Sequence, residues 1–463
     1  MSVFMIHNTF IIQKSISKKT KGGGIMKRLF TIFLALVLVY AFAVPAYALE
    51  NIFGGAWRTR AYVEKNYSGD DSESQDVQQV DTRTRLYYTA KFSDNFKFVN
   101  KFEIGDAVWG TPNSAASNPS SSYTDFGADG VRVEVKNSYV DFTLAPVNFK
   151  VGVQPVFLSR GFIMDDDVSG AVVTYSLNEN VAIPFIWMKA YEGGYGKDKN
   201  DQDVDWYVIN PSINAGGATI APIFLWVTSQ DARAWSGTSD YEKFNAYLIG
   251  ADVDAKVGPA SIWFTGLYEF GKNDKFIDLS VNNDTTSIDI QAYLVALGGS
   301  ADAGPASVHA QFFYASGQDT STDKIKAFTV PNQENSYDWA PIMGGNGIFD
   351  NQNSNGSAGF APSNIMAAQI GATFKPMPKL SLTPDIWWAQ KAEDNPIGDK
   401  DLGIELDLTA SYSIMDNLNL DVVLGYLIAG KATTDYDYAT DTARTTGSDK
   451  DPFLFGTQLS LSF

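Results

Sequence analysis

The 463-residue sequence has no cysteine and only two histidines, His7 and His309. Without thiols there is no disulfide framework and no thiolate nucleophile, and so few imidazoles leave little for a metal centre or a hydrolytic triad. Long apolar runs are equally scarce. The one that stands out spans residues 29–44, short for a membrane helix of roughly 20 residues. It follows Met26-Lys27-Arg28 and precedes Pro45 and Ala46-Tyr47-Ala48, the charged start, apolar stretch and small-residue cleavage site of an export signal. The expectation is an upstream extension over 1–25, a signal peptide over 26–48 and a single mature domain over 49–463.

Positive charge is the next deficit. The formal net charge is −18, and removing residues 1–48, which hold six basic and no acidic residues, leaves −24. Such acidity argues against nucleic acid or an anionic lipid surface as partner. It suits hydrated acidic loops at a cell surface.

With no later apolar run, any membrane crossing has to be made by strands, and a closed barrel is the strand solution that leaves no backbone group unsatisfied in hydrocarbon. Alternation of period two is present. Phe453, Phe455, Thr457, Leu459, Leu461 and Phe463 face away from Leu454, Gly456, Gln458, Ser460 and Ser462; Phe463 is read as the signal for the barrel assembly machinery. Leu402, Ile404, Leu406, Leu408, Ala410, Tyr412 and Ile414 oppose Gly403, Glu405, Asp407, Thr409, Ser411 and Ser413. Two carboxylates would be costly in a dry core, whereas a water-filled lumen accepts them.

Eight tight turns are expected around Ser93-Asp94-Asn95, Ala145-Pro146-Val147, Asn178-Glu179-Asn180, Ala215-Gly216-Gly217, Gly258-Pro259, Gly304-Pro305, Pro376-Met377-Pro378 and Met415-Asp416-Asn417. Between them lie nine polar stretches near 65–79, 110–130, 156–167, 192–203, 229–240, 272–285, 318–362, 392–401 and 432–451. Nine loops and eight turns give an all-β, antiparallel, up-and-down transmembrane barrel of 18 strands, or 16 if one hairpin is over-read. Long loops would be extracellular and short turns periplasmic. Trp57, Tyr87, Tyr88, Phe96, Phe98, Trp187, Trp387 and Trp388 are candidates for aromatic girdles.

Arginine is concentrated early. Arg58, Arg60, Arg83, Arg85, Arg132 and Arg160 precede Arg233 and Arg444. The two-residue spacing of Arg58/Arg60 and Arg83/Arg85 puts each pair on one strand face, so a basic ladder extended by Lys97, Lys101, Arg132 and Lys136 is expected on the lumen wall. Opposite it, Arg160 and Asp165-Asp166-Asp167 of the third loop would fold inward and narrow the channel, setting up a transverse field. Two other readings remain open: the acids are a solvated loop tip while Glu103 and Glu134 pair the arginines, or the acids hold Ca²⁺. Tyr337, Trp339, Phe349 and Phe360 mark the 318–362 stretch as a plug, a subunit contact, a sugar-stacking surface or a mobile loop.

The stretches Val135-Lys136-Asn137-Ser138-Tyr139-Val140-Asp141-Phe142, Val151-Gly152-Val153-Gln154-Pro155, Gly161-Phe162-Ile163-Met164-Asp165-Asp166-Asp167 and Gly105-Asp106-Ala107-Val108-Trp109-Gly110 resemble Gram-negative outer-membrane porins, most of all the homotrimeric porins of anaerobic bacteria. The resemblance covers about Trp57 to Leu177 and the last strand. It implies a homotrimer in the outer membrane, surrounded by lipid and lipopolysaccharide, that passes small hydrophilic solutes and ions without a cofactor. The chain departs from enterobacterial general porins in lacking their compact acidic, glycine-rich third-loop motif. Competing readings are a substrate-specific channel for sugars or small anions, a structural or adhesive barrel with a closed lumen, and a barrel enzyme, for which His309 lies at the unfavourable end.

Overall fold

The computed structural model describes residues 49–71, 76–110, 133–194, 202–231, 241–278, 284–319, 324–330, 336–345, 348–349, 352–394, 398–438, 442–444 and 449–463. The expected extension, signal peptide and Arg132 lie outside these residues. Eighteen wall strands follow one another: β1 (Glu50–Lys65), β2 (Val77–Ser93), β3 (Phe96–Val108), β4 (Val133–Leu144), β5 (Val147–Leu158), β6 (Met164–Asn178), β7 (Val181–Tyr191), β8 (Val204–Ile209 and Ser212–Ala215), β9 (Ala218–Ser229), β10 (Tyr241–Val257), β11 (Ala260–Asp278), β12 (Asp284–Ala303), β13 (Ala306–Ala315), β14 (Ile365–Met377), β15 (Leu380–Lys391), β16 (Asp401–Met415), β17 (Leu418–Ala429) and β18 (Phe453–Ser462). The break in β8 falls at Asn210-Pro211, where proline has no N–H for the ladder.

Each strand pairs antiparallel with its neighbours in the chain, and β18 pairs with β1 from Ala56↔Ser462 to Lys65↔Phe453. The sheet therefore closes and has no free edge around the belt. All eight expected turns are present as two-residue links, the seventh at Pro378-Lys379.

Side-chain phase follows the alternation. Ile404, Leu406, Leu408, Tyr412, Phe453 and Phe455 are exposed on the outer belt, whereas Glu405 and Asp407 are buried inside. Leu402 is an exception. Gln390 pairs with Asp401 and Ala389 with Gly403, so Leu402 sits in a bulge and turns inward against a loop.

The girdle expectation needs correction at two residues. Trp387 and Tyr87 lie on the inward phase, Trp387 packed edge-on to Trp339 and Tyr87 beneath Lys101. Outside, an aromatic row runs across four strands, with ring centroids 5.2 Å apart for Tyr207–Trp226, 6.3 Å for Trp226–Tyr247 and 5.3 Å for Tyr247–Phe270.

Two expected loops are largely strand. The 272–285 stretch is polar, yet the β11–β12 ladder runs on to Asp278↔Asp284, since a projecting hairpin needs no apolar face. The 156–167 stretch belongs to β5 and β6, which stay paired up to Leu158↔Met164.

Candidate functional site

The interior is shaped by one hairpin and one long loop. β5 pairs with β4 only as far as Ser138↔Val153, and β6 with β7 only as far as Gly170↔Met188. Beyond those points, residues 154–169 have ladder partners only among themselves, so the hairpin leaves the wall. Its base is a cross-strand glycine pair, Gly152↔Gly170. A Cβ on Gly152 would lie 2.2 Å from the Ser138 carbonyl oxygen, and one on Gly170 2.0 Å from that of Trp187. Only glycine lets the backbones approach this closely.

The hairpin tip, Ser159–Ile163, reaches β10 and β11. Arg160 Nη2 lies 2.8 Å from Asp254, Nε donates to Thr265 at 3.2 Å, and the guanidinium sits 4.8 Å from the Trp263 ring centroid. Phe162 and Ile163 are fully buried, in one apolar cluster with Ile186, Met188, Trp206, Leu225, Val227 and Leu248 on the inner faces of β7–β10. Asp165, Asp166 and Asp167 are thus not a loop tip; they lie on β6, opposite Phe157, Val156 and Pro155. Asp167 ties the hairpin base to β4 through Lys136 Nζ at 3.2 Å and Asn137 Nδ2 at 2.5 Å. Among the described residues no cluster of three or more His, Asp or Glu groups is arranged to hold a metal ion.

The described parts of the connection from β13 to β14 form a strap along the inner wall. Phe328, Ala340, Ile342 and Met343 are fully buried. Tyr337 stacks on Phe162 at 3.8 Å, and the Ser336 N–H donates to the Gly161 carbonyl at 3.0 Å, so strap and hairpin meet in the lumen. Burial pushes the Tyr337 phenol up; its neutral hydroxyl donates to Gln311 at 2.5 Å. Charged side chains fasten the strap through its backbone, Lys391 Nζ donating to the Gly356 carbonyl at 2.9 Å. Glu405 accepts the Ile342 and Met343 N–H groups at 2.6 and 2.8 Å, and Arg60 Nη1 donates to the Ile348 and Phe349 carbonyls at 3.0 and 2.8 Å. Phe349 lies over Gly456, where a Cβ would collide with the ring. Tyr67, just past β1, accepts the Asn355 N–H through its carbonyl at 2.8 Å; burial pushes its phenol well above its ordinary value, and Glu64, Glu405 and Asp407 push it further.

The inner wall of β1–β4 is charged. Arg60 forms a buried bidentate pair with Asp81, 2.9 Å from both Nε and Nη2. Arg58 donates to Asp106 at 3.2 Å, Arg83 lies 3.6 Å from both Glu103 and Asp106, and Arg85 Nε is 2.5 Å from Glu103. Cross-strand register brings these groups together: Arg58 opposes Arg83, Arg60 opposes Asp81, and Arg85 opposes Glu103. Lys101 stands 5.4 Å over the Tyr87 ring centroid, and Lys97 pairs with Asp141 at 3.3 Å nearer the turns. Asp81 and Asp106, absent from the candidate set, are as central as Glu103. Asp81 was readable from its phase with Arg83 and Arg85; Asp254 and Trp263, across the lumen, carried no sequence signal.

Across the lumen His309 Nε2 contacts Asp385 at 2.7 Å, and Gln369 donates to the same oxygen at 2.8 Å. At the seam, Phe463 is exposed on the outer face and exchanges backbone bonds with Gly55 at 2.8 and 3.1 Å.

No family model matches the sequence, and no curated protein matches it. Solved structures do resemble the chain. The outer-membrane protein OpdK of Pseudomonas aeruginosa, crystallised with vanillate, aligns over 89% of this chain and 98% of its own with a TM-score of 0.51 at 10% identity. OccK8 (OprE) of the same organism aligns over 89% and 98% at 0.53 and 11%, and OccAB4 of Acinetobacter baumannii over 89% and 98% at 0.52 and 10%. At such identities the likeness is one of fold: a closed antiparallel 18-stranded barrel of the kind outer-membrane channels use.

Proposed function

We propose that this chain forms a water-filled channel in an outer membrane, passing small hydrophilic solutes with a preference for anions. The observation that carries the reading is the charged inner wall of β1–β4, where Arg58, Arg83, Arg85, Lys101 and Lys136 share a few carboxylates beside an inward hairpin. A closed barrel with an apolar exterior supports the membrane setting, and low-dielectric walls around a basic surface raise the local concentration of anions. The narrowing by hairpin and strap favours a selective channel over a general diffusion pore. The crystallisation of OpdK with vanillate, a carboxylate, agrees with a preference for small carboxylates. Assembly as a homotrimer belongs to the same proposal and is checked by native mass measurement in detergent.

The test is reconstitution in planar bilayers under a KCl gradient. Stepwise ohmic currents with a reversal potential on the anion-selective side are expected. Insertion without any current would instead mark a closed structural barrel.

A further inference from the structure

On the inner face of β11–β15 two cross-strand rows run side by side. One is Ser261↔Ser300↔His309↔Gly371↔Asp385, the next Trp263↔Gly298↔Gln311↔Gln369↔Trp387. Neither row holds a lysine or an arginine, in contrast to β1–β4. Along them lies a cavity of about 260 Å³ lined by the side chains of Ser261, Trp263, Ser300, His309, Gln311 and Gln369. No carboxylate, lysine or arginine lines it among the described residues. Two hydrogen bonds fix which way its amides point. Tyr337 donates to Gln311 Oε1 at 2.5 Å, which leaves Gln311 Nε2 as a donor, and Gln369 Nε2 donates to Asp385 at 2.8 Å, which leaves Gln369 Oε1 as an acceptor. The two glutamines oppose each other across β13 and β14, with Cα atoms about 5 Å apart, so a donor and an acceptor stand side by side. The neighbouring rings are held as firmly. A Cβ on Gly298 would come within 2.6 Å of the Trp263 indole, whose centroid lies 4.8 Å from the Arg160 guanidinium, and one on Gly371 would lie 1.9 Å from Asp385 and 2.5 Å from His309 Nε2. Glycine at these two positions lets the indole and the His309–Asp385 contact reach across a neighbouring strand.

Which ligand fits follows from the lining. A charged group would meet no counter-charge on the cavity surface. A fixed donor beside a fixed acceptor matches a pair of neighbouring hydroxyls, each of which donates and accepts, and the Ser261 and Ser300 hydroxyls can rotate to suit either role. The indole supplies an apolar border for C–H groups. An adjoining cavity of about 440 Å³ shares Ser261 and Trp263, so the combined space is that of a small solute. We propose that this ledge binds the vicinal hydroxyls of a neutral polyol or sugar, with Gln311 donating to one hydroxyl, Gln369 accepting from its neighbour and Trp263 bordering the carbon skeleton. The inference rests on the channel reading for the solute's route to the ledge. It adds an uncharged, hydroxyl-reading element across the lumen from the arginines.

The experiment uses glucose, with tetraethylene glycol, a neutral solute of similar size whose ether oxygens only accept, as the control. Two readouts are taken on the full chain: reduction of KCl current in bilayers, and the change of intrinsic tryptophan fluorescence in a detergent without sugar groups. Glucose is expected to reduce current saturably and to change fluorescence, and the glycol to do neither. Gln311→Met and Gln369→Met are each expected to raise the half-effect concentration of glucose about tenfold, the effect of one lost hydrogen bond. Ser300→Ala, at an exposed position of the ledge, is expected to shift it in the same direction and keeps the test open should a glutamine variant fail to assemble. Equal responses to glucose and glycol, or an unchanged half-effect concentration in every variant that assembles, overturn the site while leaving the channel reading intact. If the protein conducts no current yet the fluorescence response to glucose depends on these residues, the channel reading fails and the site stands.

Discussion

The inner face of β1–β4 and the upper inner face of β7–β12 belong to one closed sheet, yet they are built on opposite rules. The first holds Arg58, Arg60, Arg83 and Arg85 against Asp81, Glu103 and Asp106. The second holds Ile186, Val204, Trp206, Leu225, Val227, Leu248, Ala292 and Leu294, all buried in one cluster with Phe162 and Ile163. A barrel interior is therefore not uniformly polar; its polarity tracks what faces it. Where the hairpin tip and strap lay apolar side chains on the wall, the interface is packed like a soluble core, whereas along β1–β4 the wall is charged and Arg60 meets the strap through its main-chain carbonyls.

The contrast breaks most visibly at its packed side. Trp206→Ala removes a ring that is 1% exposed, and a loss of roughly 3–5 kcal/mol is expected from such a truncation. Urea unfolding in lipid vesicles measures it; a loss under about 1 kcal/mol would mean the upper interior is not a packed core. At the charged side the effect should be on ions instead of stability. Replacing Arg83 and Arg85 together with Ala should move the reversal potential toward cations, and an unchanged potential would remove both from the conduction path. The smallest effect belongs to Lys97→Ala, because the Lys97–Asp141 pair is partly open to solvent. Exposed pairs contribute about 0–1 kcal/mol and fade with salt, so its unfolding midpoint should stay close to wild type.

Much of the wall was legible beforehand. Alternation in 404–414 and 453–463 distinguished inside from outside, and the Gly, Pro, Asn and Asp residues marked all eight tight links. The misreadings share a physical origin. Asp165-Asp166-Asp167 read as loop because three acids cannot all be lipid-facing, but a strand that leaves the wall is free of that constraint. Lys272 and Asn273 read as loop for the same reason, although β11 continues through them. Trp387 and Tyr87 resembled girdle residues because the sequence does not say which inner positions a loop will cover. The strap's aromatic content was visible, but the clamps by Glu405 and Arg60 act on main-chain atoms, which leave no trace in residue identity.

The glycine pair at the hairpin base separates two design problems. Because the wall ladders end at Val153 and Gly170, one residue from or at the glycine pair, the segment beyond can be lengthened, shortened or recoded while the eighteen-strand cylinder keeps its register. If the proposed channel holds, grafting a different tip there would re-tune what is admitted while leaving the surrounding cylinder as it was.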